Sequence, residues 1–216
     1  MSDCEKLISK KYKLSKEIMA VCLKSNKSKP LSWFKSGKKI KVNNRMQADY
    51  EYRLTYDAGT NITKGKNING DEIEYEFNPK YNPGQMMLMG VFEGKYCNDQ
   101  IFEFPKEWFN LDKLSPESAD PSVNYFGVKS RQSLQEWRRK KWIPCCPEDH
   151  DKRGWFEWYC RYWLGRREPN VDPIQIKRWK AFTRHYGQYI KNTKGHKGKH
   201  PKRRQALLQW SYPCDD

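Results

Sequence analysis

The chain has 216 residues, 42 Lys+Arg against 26 Asp+Glu, and a formal net charge of +16. That length suits one large domain or two small ones with a real core, and no apolar run approaches the roughly 18 residues a membrane-spanning helix needs. The basic balance points to a polyanion partner, nucleic acid before an anionic membrane surface.

The charge is segregated. Residues 1–45 carry 13 Lys/Arg against 3 Asp/Glu, residues 46–128 carry 7 against 14, and residues 129–212 carry 22 against 7. This order divides the chain into a basic N-terminal helix and arm (1–45), an acidic β-rich region (46–128) and a basic, aromatic-rich helical region (129–216), with 46–216 packed as one domain. Seven cysteines at irregular spacing, behind a Lys-rich N-terminus with no hydrophobic signal, predict reduced thiols. The expected setting is intracellular: cytoplasm or nucleus, or a viral factory or virion.

In chain order, Leu7, Ile8, Tyr12, Leu14, Ile18, Met19, Val21 and Cys22 follow a helical period over 2–24. Residues 25–45 read as a basic arm, partly disordered, around Trp33-Phe34. Tyr50, Tyr52, Leu54 and Tyr56 alternate with polar residues and predict a half-buried strand. Asn69-Gly70 predicts a tight turn before the alternating Glu72–Phe77. The apolar run Met86–Phe92 suits a buried strand or a short core helix. A short helix is expected over 104–109. The last third predicts helices at 133–141, 155–166, 172–190 and after Pro201, with Asp172-Pro173 as cap and first-turn proline.

The segment Gly154–Arg167 holds six aromatic rings and three arginines. Trp155, Trp158, Tyr159, Tyr162 and Trp163 recur at helical spacing, which makes a core face. Arg161, Arg166 and Arg167 are expected to contact phosphate, which a guanidinium can pair bidentately. Lys177, Arg178 and Arg184 mark a basic helix following another helix, the order that helix-turn-helix units use in a major groove. Lys191–Arg204 contains nine basic residues including Lys202, Arg203 and Arg204, and reads as a phosphate-contacting loop feeding a helix or as a nuclear address. Tyr162 or Tyr186 would stack on bases.

Catalytic signals are sparse. Glu93, Asp99 and Glu103 are carboxylates around a Gly-containing loop, where metal-dependent nucleases place theirs, but their spacing matches no nuclease motif. Cys145, Cys146, His150, His196 and His200 offer ligand atoms, with Cys160 and Cys214. Adjacent cysteines point apart, so no metal is expected. No phosphate-binding loop, dinucleotide fingerprint or hydrolase elbow occurs, and no cofactor is expected.

Gly90-Val91-Phe92-Glu93-Gly94-Lys95-Tyr96, the aromatic helix ending Gly165-Arg166-Arg167, Gln175–Trp179 and Arg204–Trp210 resemble a family of uncharacterised proteins of microbial eukaryotes, bacteria and large DNA viruses. The likeness spans about residues 80–212 and implies no activity. Lysine exceeds arginine by 29 to 13, as in AT-rich genomes, which suits a viral origin. The expectation is an α+β protein: a small antiparallel β region, a Trp-rich helical C-terminal part and a basic N-terminal helix. Its expected work is binding nucleic acid, DNA or RNA. The alternatives are a nucleic-acid-processing enzyme using Glu93 or Asp99, and an assembly component with a protein partner or as a homo-oligomer.

Overall fold

A computed structural model describes residues 3–8, 13–129, 134–140, 150–193 and 199–214. The N-terminal region is two helices where one was expected, α1 (Asp3–Ile8) and α2 (Lys16–Leu23). Ser15 explains the new start: its backbone is extended and its hydroxyl accepts the Ile18 N–H, an N-cap. Met19 and Cys22 on α2 are fully buried, as are Phe34, Ile40 and Val42 in the arm. The basic arm is therefore core-bearing chain, and it includes a strand.

That strand, β1 (Lys39–Val42), pairs antiparallel with β2 (Tyr50–Arg53), with Ile40 opposite Tyr52. Ile40, Val42 and Tyr52 turn inward while Lys39, Lys41, Glu51 and Arg53 face water, the alternation the pleat imposes. A second antiparallel pair joins β3 (Lys64–Lys66) to β4 (Glu72–Glu74) through the expected Asn69-Gly70 turn, where Gly70 takes φ +87°.

The first part of the apolar run, Met86–Leu88, closes a helix, α3 (Pro83–Leu88), and Met89–Phe92 continue as turn. Asn82 and Gln85 make a reciprocal capping box with Pro83 in the first turn. These local signals lie just upstream of the run and override its strand-like length. Gly90 then stops the helix at φ +71°; a Cβ there would lie 1.9 Å from the Val123 carbonyl oxygen. The expected short helix at 104–109 is a 3-10 turn over Lys106–Trp108.

The last third is α4 (Leu134–Arg139), α5 (Trp155–Trp163), α6 (Asp172–Ala181), α7 (Thr183–Thr193) and α8 (Pro201–Leu208). The expected 172–190 helix divides at Phe182, whose N–H bonds back to Trp179 O in a tightened turn. Among the described residues the molecule is α+β, helix-rich with two small two-stranded antiparallel sheets. One buried cluster runs from Ile8 to Cys214 and draws on all three stretches of the charge map. Its hub is Phe77, edge-on to Trp158, Tyr159, Tyr162 and Trp179 at 5.0–5.7 Å between centroids. No helix among the described residues is long and apolar enough to cross a membrane.

Candidate functional site

Helix α5 carries both an aromatic face and an ionic one. Glu157, in its first turn, accepts the Arg153 N–H at 2.8 Å, which favours the helix start electrostatically. One turn further on, Arg161 is fully buried. Its guanidinium donates to Glu103 at 2.6 Å, to Asp151 at 3.0 Å and to the His150 carbonyl at 2.6 Å, and lies 3.5 Å from Glu157. The rings of Tyr50 and Tyr52 cover it at 5.6 and 5.8 Å.

Arg166 binds the other Asp151 oxygen at 2.7 Å and faces Glu168 at 3.3 Å. Arg153 clamps both oxygens of Asp99 through one nitrogen, at 2.9 and 2.8 Å. This ionic layer joins α5 to the loops at 99–103 and 150–153 beneath the β1–β2 hairpin. The two arginines hold Asp151 below the usual carboxylate range against the opposing pull of desolvation, while burial pushes Glu157 up.

The sequence expectation for Arg161 and Arg166 is therefore corrected. Both are inside, committed to carboxylates of the same chain, and cannot reach a phosphate without unfolding the layer. Tyr162 is also buried, its hydroxyl donating to the Ile62 carbonyl, so it offers no face to a base. Arg167 is spent on backbone: its guanidinium donates to carbonyls of Asn61, Lys64, Tyr162 and Arg166, and sits 3.8 Å from the Tyr162 ring centroid. Arg204 donates to the Cys214 carbonyl at 2.7 Å and covers Phe126. Arg178 is half-buried, with Gln175 at 3.3 Å.

Lys177, Arg184, Lys202 and Arg203 are exposed, on α6, α7 and α8, helices that touch in series. Tyr186 is half-buried and lines an open cleft of about 540 Å³ with Lys80, Trp179, Lys180 and Tyr212. Cys145, Cys146 and His196 lie outside the described residues, as does most of the Lys194–Lys199 stretch.

A second, more enclosed cavity of about 380 Å³ escaped the sequence reading altogether. Its aromatic wall is Phe92, Tyr96, Trp137, Trp155, Phe156 and Trp210. Its polar part is Asn98, Asp99 and Arg153, with Arg45 and the exposed Lys95 also in the lining. The loop that builds it holds Glu93 and Cys97 at left-handed φ of 56° and 61°, a conformation ordinary side chains avoid. Of the three candidate carboxylates, only Asp99 lines this cavity, and Arg153 and the Arg45 N–H hold it. Among the described residues, no three His, Cys, Asp or Glu side chains are arranged to hold a metal ion.

No family model, curated protein or solved structure matches this chain.

Proposed function

We propose that the chain binds nucleic acid through its basic exterior, with α6, α7 and α8 as the main contact elements. One observation carries this reading. Among the described residues, the buried charged side chains are six carboxylates (Glu93, Asp99, Glu103, Asp151, Glu157, Asp172) and three arginines, a formal −3. The rest of the chain then carries +19, more than the +16 of the whole. Folding buries more acid than base, so a polyanion at the surface meets exposed side chains more basic than the composition suggests. The open cleft adds Tyr186 and Tyr212 beside Lys80 and Lys180, the pairing of rings and cations that unpaired bases use.

The test is retention of single- and double-stranded DNA and RNA by nuclease-treated protein across a salt series. Neutralised phosphates release counterions, so affinity should fall steeply, by about 0.9 of a log unit per contact and log unit of salt on duplex DNA. Failure to retain any of the four at about 50 mM salt would overturn the reading.

A further inference from the structure

We propose that the enclosed cavity beside Asp99 and Arg153 is a binding site for a nucleotide monomer, with the base between the rings and the phosphate toward Lys95. The size is right: about 380 Å³ lies at the lower end of the range that holds small ligands. The wall is right for a flat heterocycle. Phe92, Tyr96, Trp155, Phe156 and Trp210 line it from three separate parts of the chain, and an aromatic lining suits a base whatever its identity.

A purely greasy ligand would not need the polar part. Two lining residues, each over nine-tenths buried, carry a polar side-chain atom with no hydrogen-bond partner: the indole Nε1 of Trp155, a donor, and Oδ1 of Asn98, an acceptor. Such atoms are uncommon in folded proteins and are costly to leave unpaired. Asp99 adds a further acceptor. A carboxylate has about four acceptor positions, and Arg153 and the Arg45 N–H fill three of Asp99's. One donor and two acceptors against an aromatic wall are the complement of a base edge, which mixes amino or imino donors with carbonyl or ring-nitrogen acceptors.

The cation follows. Lys95 is exposed and its ammonium rests on the Glu117 carbonyl at 2.8 Å, a weak hold that a phosphate can outcompete. Asn98 is meanwhile fixed by its amide, which donates to Gly94 O at 3.0 Å, so its unpaired oxygen is held in place at the cavity's edge.

This inference does not depend on the polymer reading. A chain that ignores DNA and RNA can still bind a monomer, and a polymer binder can leave the cavity unused. The experiment is titration of the intact chain with GMP, AMP, CMP and UMP, each against ribose 5-phosphate. Trp155 and Trp210 in the wall make quenching of tryptophan fluorescence the readout, with calorimetry beside it. At least one nucleotide should bind ten-fold or more tighter than ribose 5-phosphate. Lys95→Gln should weaken that nucleotide several-fold without moving the melting temperature. Trp155→Phe keeps a ring in the wall and removes the donor, and should weaken it about ten-fold. No binding by any nucleotide, or binding no tighter than ribose 5-phosphate, overturns the proposal. So does nucleotide binding that neither variant changes, which would place the ligand elsewhere.

Discussion

Two sets of cations in this molecule have opposite surroundings. Arg153, Arg161 and Arg166 are closed in by carboxylates and tyrosine rings, while Lys177, Arg184, Lys202 and Arg203 stand in water on α6, α7 and α8. Among the described residues every buried cation is an arginine and none is a lysine. The guanidinium explains the split. It is weakly hydrated, stays charged when buried, and its five donors can serve several acceptors at once. Arg161 uses that capacity on Glu103, Asp151, Gln47 and the His150 carbonyl together. The fork that suits phosphate suits carboxylate equally, so arginine-rich sequence indicates an anion but not whose anion it is.

The largest effect should come from opening the inner set. Arg161→Met keeps much of the volume but strips Glu103 of its arginine and leaves Asp151 with Arg166 alone and Glu157 with Arg153 alone. Breaking a buried pair in this way costs about 3–5 kcal/mol. Denaturant unfolding should show a loss of that size; a loss below about 1 kcal/mol would mean the layer is not a structural unit. Next is the joint between α5 and the hairpins. Gly165 sits at φ +113° and a Cβ there would lie 2.0 Å from the Tyr56 carbonyl oxygen. Its own carbonyl accepts the Thr55 and Tyr56 N–H groups. Gly165→Ala should cost more than about 2 kcal/mol, and a thermal melt unchanged by it would show that the contact yields.

A third test uses pH on a buried acid held by hydrogen bonds, with Arg166 and Arg167 acting on it only through their charge. Asp172 is 1% exposed and accepts from Trp158 Nε1 at 2.9 Å and from the Glu168 N–H at 2.8 Å. Burial pushes its carboxyl up to about 6, although both hydrogen bonds and the charge of Arg166 pull it down. A folded-state value above the unfolded one means the neutral form is favoured by folding. Its contribution is fully present below about pH 4 and is lost as pH rises through 6. The stability gap between wild type and Asp172→Asn should therefore shift against wild type by on the order of 3 kcal/mol across that window. A gap that stays constant from pH 4 to 6.5 would show that Asp172 does not titrate there.

These contrasts also explain what could be read in advance. The aromatic helix, the Asn69-Gly70 turn and the helix after Pro201 were legible because their signals are local: a period, a turn pair, a first-turn proline. Signals equally local but overlooked were the Ser15 cap that divides 2–24 and the Asn82-Pro83-x-Gln85 box that makes 83–88 helical. The inner charge layer was not legible as a layer. Asp99, Glu103 and Asp151 lie 10 to 62 positions from Arg161, and their convergence depends on the tertiary fold. One clue existed: Arg153, Glu157 and Arg161 follow each other at four-residue intervals beside the aromatic stripe, a ladder of alternating charge. The enclosed cavity had no sequence signature, since its wall is drawn from four separate segments.

The smallest effect on stability should come from the outer set, and it separates the two most cleanly. Lys202 and Arg203 lie in the first turn of α8, both exposed, at the positive end of a helix whose dipole gains nothing from them. Replacing both with Ala should leave the melting temperature within the range of ordinary surface changes, about 0.5 kcal/mol either way, or raise it slightly. If these side chains meet phosphates, the same double variant should flatten the salt dependence of nucleic-acid binding by about two units. An unaltered slope would move the interface off α8, and a large loss of stability would show that α8 belongs with the interior after all. The inner arginines give the reverse signature, instability before any change in slope. Measuring both quantities on both variants therefore tests whether the segregation of charge is also a segregation of roles.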